Sequence, residues 1–175
     1  MAKSRAKNNK KNAVYAKLVT LFSTSLYVGF LPKAPGTWGS LFGLFIYWLI
    51  FRQLPIVYFC LFMLLLLVVG IWATGEYDRL YRKHDASESV IDEVLGQSIV
   101  LLPLFWPDFH NFYPVFTSLG AFILFRFFDI VKPFGVWQIQ KFSGGWGIML
   151  DDVLAAIYAV LVWLTVMLPL IMYVA

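Results

Sequence analysis

Two pairs of carboxylates stand inside apolar stretches of this sequence, where an ionised group needs a partner. Asp92 and Glu93 lie in one such stretch, and Asp151 and Asp152 open another. A buried charge is expensive unless it is paired or bound to a metal, and adjacent like charges repel unless a cation holds them. Acids at a helix start are also favoured by the helix dipole, a purely structural alternative. The candidate catalytic and metal-binding residues are Asp92, Glu93, Asp129, Asp151 and Asp152.

Basic residues accompany these acids. Arg126 and Asp129 are three residues apart, so they share one face of a helix, which Lys132 continues before Pro133 ends it. Arg126 and Asp129 belong either to a functional site or to an ion pair with a purely structural role. Carboxylates without a Cys or a pair of His suit a hard cation such as Mg²⁺, and neighbouring bases suit an anionic substrate. The residues therefore indicate phosphate chemistry.

A segment rich in glycine and proline, from Gly29 to Ser40, precedes the first long apolar stretch. Its Gly-Thr-Trp-Gly-Ser part can direct backbone N–H groups and hydroxyls at one spot, just before a helix N-terminus, as an anion cradle does. A helix cap with no ligand explains the same residues. Together with the bases named above, the candidate phosphate-binding residues are Lys33, Gly36, Thr37, Ser40, Arg126 and Lys132.

The composition places these residues in a membrane protein. Of 175 residues, 61% are hydrophobic and 14% are charged, against about 25% charged in soluble domains. The mean hydropathy is +0.75. A soluble enzyme, a disordered tail and a coiled coil are excluded. The single cysteine, Cys60, also excludes a disulfide scaffold.

The positive net charge of +4 comes from the N-terminus. Residues 1–17 contain six bases and no acid. Beside so much apolar sequence, we expect this basic segment to orient the protein and contact lipid, and we expect no nucleic-acid partner. The stretch from Val14 to Phe30 is interrupted by Lys17 and hydroxyl residues, so we expect no signal-peptide cleavage.

The spacing of the charges predicts an all-α integral membrane protein. Uncharged stretches of 23 residues follow Arg52 and Asp152, and a membrane helix needs about 20. Shorter stretches complete a compact bundle of five membrane-embedded helices, with an N-terminal interfacial helix near 13–28. The predicted domains are a basic cytoplasmic tail, 1–12, and one membrane-embedded phosphatase domain, 13–175. The five predicted spans are 38–52, 55–74, 91–106, 112–129 and 152–174.

The distribution of Lys and Arg predicts the orientation. With the N-terminus in the cytoplasm, Arg52 is the one base outside, and nine of the ten acids lie inside. Asp108 is the exception, in an outer turn that runs to His110. The outer turns are too short to hold a site, so we expect the site to face the cytoplasm.

At these same residues the sequence resembles the phosphatidylglycerophosphatase A family, which is bacterial and membrane-bound. The match covers about residues 25–160, in the family's order. Its four blocks are Pro32 to Leu41 (PKAPGTWGSL), His84-Asp85 leading into Ile91 to Gly96 (IDEVLG), Phe125 to Pro133 (FRFFDIVKP) and Gly144 to Val153 (GGWGIMLDDV).

The resemblance implies Mg²⁺-dependent hydrolysis of phosphatidylglycerophosphate to phosphatidylglycerol and inorganic phosphate in the bacterial cytoplasmic membrane. It marks the five acids as the acidic centre, with Arg126, Lys132 and the 35–40 loop around it. Lys33 stands at a variable position of the family pattern.

The residues argue against other phosphatase chemistries. Cys60 has no Arg six residues later, the Asp-x-Asp-x-Thr signature is absent, and the predicted topology separates His84 from His110. The phosphatase chemistry that remains is attack by a water molecule that a metal ion activates. The alternatives from other classes are a small transporter or ion-conducting protein, whose acids would line a pathway, and a purely structural membrane protein.

Overall fold

A computed structural model of the chain describes residues 2–106, 114–132, 135–140 and 142–174. Their regular structure is helical, with no strand in these ranges, so the predicted all-α class is confirmed. Short 3₁₀ segments and one helical turn, Val136–Ile139, connect the longer elements. The six longer helices are α1 (Ala2–Ser23), α2 (Pro35–Leu49), α3 (Ile56–Tyr81), α4 (Ile91–Val100), α5 (Pro114–Val131) and α6 (Gly145–Val174).

Three of these helices are long and apolar enough to cross a membrane. They are α3, α5 and the part of α6 from Gly145 to Val166, with 26, 18 and 22 residues. The prediction of five membrane helices is not confirmed. Helix α2 has 15 residues and α4 has 10, fewer than the roughly 20 that a membrane helix needs. Helix α4 is short because a 3₁₀ segment that contains Pro103 follows it almost at once.

Several predicted boundaries were wrong. Helix α6 begins at Gly145, so Asp151 and Asp152 lie in its second turn and do not open it. The N-terminal helix runs from Ala2 to Ser23, where an interfacial helix near 13–28 was expected. Pro133 and the turn from Asp108 to His110 lie outside the described residues. Helix α5 ends at Val131.

Helix α4 lies at the centre of the bundle, in contact with α2, α3, α5 and α6. Glycines allow the close approach. A Cβ added to Gly43 of α2 would lie 3.0 Å from the carbonyl oxygen of Val94. A Cβ added to Gly96 of α4 would overlap the ring of Phe125, which is fully buried in α5. Small residues at helix crossings are typical of membrane bundles.

The two ends of the bundle differ in chemistry. Near the end of α2, the rings of Tyr47, Phe59 and Phe105 pack with centroids 5.1 to 5.7 Å apart, and the guanidinium of Arg52 stacks 4.3 Å from the ring of Trp48. The opposite end contains the starts of α2, α4 and α6 and the end of α5. The candidate site residues lie at that end.

The Gly96 crossing predicts a specific packing defect. Gly96→Ala should lower the free energy of unfolding by about 1 to 3 kcal/mol, because the new methyl group has no space against Phe125. In a Phe125→Leu background the added methyl group should cost less, since the smaller side chain leaves room. Unfolding of the four proteins in mixed micelles measures both effects. An equal cost of Gly96→Ala in the two backgrounds would contradict this packing.

Candidate metal and phosphate site

Three carboxylates meet where α4 and α6 cross. Asp92 and Glu93 are in the first turn of α4, and Asp152 is in the second turn of α6. One oxygen from each lies within 4.8 Å of the other two. Asp92 and Asp152 are buried, with 6% and 4% of their surface exposed. Glu93 and Asp152 are 59 positions apart in the sequence. The packing of α4 against α6 therefore assembles this three-carboxylate cluster.

Each member of the three-carboxylate cluster retains an unsatisfied oxygen. Asp92 Oδ1, Glu93 Oε2 and Asp152 Oδ2 are buried, and none has a hydrogen-bond partner among the described residues. Buried polar atoms almost always have a partner, and a hard cation takes oxygen ligands of this kind. The unsatisfied oxygens therefore fit a divalent cation such as Mg²⁺.

The electrostatics of α4 point the same way. Burial, together with the nearby charge of Glu93, raises the pKa of Asp92 well above its ordinary value. Burial also raises the pKa of Glu93, to which Asp152 and Asp129 contribute. A cation would reverse these effects, because it stabilises the ionised carboxylates.

An arginine borders the cluster. Arg126 Nη1 lies 2.7 Å from Asp129 Oδ2 and donates a 3.5 Å hydrogen bond to Ser40 Oγ. Its Nε is buried without a partner in the described part of the chain. A Cβ on Gly36 would overlap Glu93 Oε1 and lie 3.0 Å from Arg126 Nη1. Glycine at position 36 therefore allows α2 to start directly against the acid and the base.

Asp151 points into a different set of contacts. Its Oδ2 accepts hydrogen bonds from Lys132 Nζ at 2.8 Å and from Gln140 Nε2 at 2.7 Å, and its Oδ1 accepts the backbone N–H of Asp152 at 3.0 Å. Burial lowers the pKa of Lys132, but the hydrogen bond and charge of Asp151 outweigh it and raise the pKa overall. Lys132 is therefore a charged partner of Asp151.

The other predicted residues of the 33–40 segment divide into two groups. Ser40 is buried and donates a hydrogen bond to the carbonyl of Gly36 at 2.9 Å. The backbone N–H of Thr37 bonds to the carbonyl of Ala34 at 3.0 Å, which caps the helix. Lys33 is exposed, in a left-handed turn with φ 62°, and forms no ion pair with any described residue. Lys33 therefore makes no charged contact with the three-carboxylate cluster.

Sequence reasoning missed two glutamines at this end of the bundle. Gln140 bonds to Asp151 from 11 positions away, and no local pattern indicates that contact. Gln97 is fully buried, and both polar atoms of its amide have no partner within the described ranges. It lies four residues after Glu93, on the same helix face, and this spacing could have identified it.

The chain is similar to known proteins over most of its length. A family model described as Phosphatidylglycerophosphatase A matches residues 21–167. The phosphatidylglycerophosphatase A of Haemophilus influenzae is 38% identical over 148 residues, which cover 82% of this chain and 85% of the relative. The protein of the same name from Escherichia coli is 31% identical over 130 residues, covering 74% and 72%.

A third relative has a different name. A Bacteroides thetaiotaomicron protein, provisionally named a phosphatidylinositol-3-phosphatase, is 38% identical over 146 residues, or 81% of this chain and 89% of that protein. No solved structure matches the chain significantly.

The three-carboxylate cluster predicts opposite effects of one substitution with and without metal. Asp152→Asn should raise the melting temperature in EDTA, because it removes a buried like charge. It should also abolish the rise that Mg²⁺ causes in the wild type, because binding to the folded state no longer stabilises it. Thermal unfolding in detergent measures both.

The matched control for this experiment is Glu76→Gln, which neutralises an acid that pairs with Arg79 outside the cluster. We expect this variant to keep the Mg²⁺-dependent rise. A wild-type melting temperature that does not respond to Mg²⁺ or Mn²⁺ would contradict a metal site here.

Proposed function

The chain belongs to the phosphatidylglycerophosphatase A family, and from that premise we propose that it hydrolyses phosphatidylglycerophosphate to phosphatidylglycerol and inorganic phosphate with the help of Mg²⁺. Membership of this family makes the protein a phosphoric monoester hydrolase. The observation that best supports the Mg²⁺ dependence is the three-carboxylate cluster, with its buried unsatisfied oxygens next to Arg126.

In the proposed mechanism, Asp92, Glu93 and Asp152 would hold the metal ion. When bound, Mg²⁺ supplies a Lewis acid that polarises a phosphoryl oxygen and activates water. Asp151 was also a predicted ligand, but its contacts with Lys132 and Gln140 favour a role in holding Lys132. Asp129 likewise is best placed to orient Arg126.

Arg126 and Lys132 bind the phosphate oxygens in this mechanism. Asp129 fixes the guanidinium of Arg126 at the cluster, and the buried Nε–H of Arg126 is a donor that an anionic oxygen would satisfy. Water attacks the phosphorus, a carboxylate of the site takes its proton, and the P–O bond to the headgroup glycerol breaks. The glycerol oxygen takes this proton from the carboxylate and leaves as an alcohol, and the two bases stabilise the charge that shifts onto phosphate.

The location of the site suits a lipid substrate. The three-carboxylate cluster lies near the ends of apolar helices that can cross a membrane, so a phospholipid headgroup can reach it while the acyl chains remain in the bilayer. We propose that the protein resides in the bacterial cytoplasmic membrane and that the site faces the cytoplasm, because this orientation would put most Lys and Arg residues on the cytoplasmic side.

A transporter or ion-conducting protein is the alternative function from another class. A pathway would need polar groups along the bundle, whereas the end opposite the site is filled by Tyr47, Phe59 and Phe105. The geometry therefore favours the enzyme.

Phosphate release tests the proposed function directly. The purified protein in detergent should release phosphate from phosphatidylglycerophosphate with Mg²⁺ and not with EDTA. Asp92→Asn and Asp152→Asn should each lower the rate by about two orders of magnitude or more, because each removes a metal ligand. Ser87→Ala, an exposed change in the loop before α4, is the control with an unchanged rate.

The same assay distinguishes the substrates named by the relatives. Phosphatidylinositol 3-phosphate should be the poorer substrate when it is compared at equal concentration. A preference for it would indicate that this chain acts on the substrate named for the Bacteroides relative. If neither lipid released phosphate, the proposed phosphatase activity would be contradicted.

Cysteine labelling tests the orientation. In a background without Cys60, a cysteine at the exposed Ser143 should resist a membrane-impermeant thiol reagent in intact cells, because we propose that this end faces the cytoplasm. A cysteine at Gln53, exposed at the opposite end, should react. The reverse pattern would invert the proposed topology.

A further inference from the structure

A cavity with several polar side chains in its wall adjoins the candidate site on the side of the loop between α3 and α4. It is open to the surface, has a volume of about 320 Å³ and is lined by His84, Asp85, Gln140, Gly147 and Ile148. Gln140 links the cavity to Asp151 through a 2.7 Å hydrogen bond. The charge of Asp85 acts on both Asp151 and Asp92, so the cavity lies on the side of the candidate site where Asp151 is held.

The loop that supplies His84 and Asp85 is held in place by one acid. Asp78 Oδ2 accepts the backbone N–H of Asp85 at 3.1 Å and lies 3.5 Å from His84 Nδ1. Asp85 itself adopts a left-handed conformation, with φ 54°. A further pair, Lys83 and Glu88, ties the two ends of the loop together. The carboxylate of Asp85 is therefore presented from a fixed backbone.

The opposite wall is equally defined. A Cβ on Gly147 would lie 2.5 Å from the carbonyl oxygen of Phe142 and 2.9 Å from that of Gln140. Only a residue without a side chain at position 147 lets the carbonyl groups of Gln140 and Phe142 lie so close to α6. Gly147 is also four residues before Asp151, so both are on the same face of the helix.

The cavity presents groups that suit a neutral hydroxyl compound. The imidazole of His84 and the amide of Gln140 can both donate and accept hydrogen bonds, and the carboxylate of Asp85 accepts them. The charge of Asp85 disfavours an anionic group inside the cavity itself, so both phosphates of the headgroup would lie outside the cavity and the neutral part inside it. The chemistry matches a polyol.

We propose that this cavity binds the glycerol of the lipid headgroup and that Asp85 accepts a hydrogen bond from its free hydroxyl. This inference rests on the proposed function. The glycerol is bonded directly to the phosphate that is cleaved, so it must occupy space beside the site, and this cavity joins the site through Gln140 and Asp151. Asp85 is then a determinant of headgroup specificity and not a metal ligand.

The test compares two substrates that differ by one hydroxyl. One is phosphatidylglycerophosphate, and the other contains propane-1,3-diol in place of the headgroup glycerol. The wild type should show a kcat/KM roughly tenfold higher for the glycerol lipid, as a hydrogen bond to a charged group provides. Asp85→Gly should remove this preference by lowering kcat/KM for the glycerol lipid alone.

The substitutions are chosen to keep the loop intact. Glycine and asparagine both accept the left-handed backbone at position 85, whereas alanine would strain it. Asp85→Asn should retain part of the preference, because its amide oxygen still accepts a hydrogen bond. Ser87→Ala, in the same loop but outside the cavity, should keep all of it.

Two results would overturn the inference. One is a full preference for the glycerol lipid in Asp85→Gly, and the other is an equal loss with both lipids, which would indicate a general effect on the site. If the wild type released no phosphate from either lipid, the proposed function would fail first, and this inference with it.

Discussion

The burial of three carboxylates against one another is the constraint on which the rest of this structure depends. Asp92, Glu93 and Asp152 come together at the crossing of α4 and α6, and each has a buried oxygen to which no described group donates. Such an arrangement is unstable as three free charges in an apolar bundle. A bound cation would relieve this repulsion, and that relief would contribute to the free energy of metal binding.

Other features at this end of the bundle follow from that requirement. Helix α4 has to start inside the protein so that its first turn presents two acids, and glycines at positions 39, 43 and 96 let neighbouring helices close around it. Gly36 brings the start of α2 against Glu93 and Arg126. The remaining acids are neutralised locally, Asp129 by Arg126 and Asp151 by Lys132. Both bases are thereby held by an acid at this end of the bundle, where the proposed mechanism uses them.

The sequence was sufficient to predict the helical class and to include the three carboxylates of the cluster among the candidate residues. It was insufficient to predict the helix lengths. Charges within an apolar chain are costly enough to be informative, which is why Asp92 and Asp152 could be identified. The spacing of charges could not reveal that α4 stops after ten residues, because the 3₁₀ segment at Leu102–Phe105 is itself apolar. Nor could it separate Asp151 from Asp152. Adjacent helical residues point about 100° apart, and only the packing shows which one faces the cluster.

Anomalous diffraction from crystals grown with Mn²⁺ tests the central claim most directly, because it locates the ion independently of catalysis. The account predicts a strong peak between the carboxylates of Asp92, Glu93 and Asp152, within bonding distance of all three. A peak at Asp151, or Mn²⁺ present in the crystal with no peak at the three-carboxylate cluster, would contradict it.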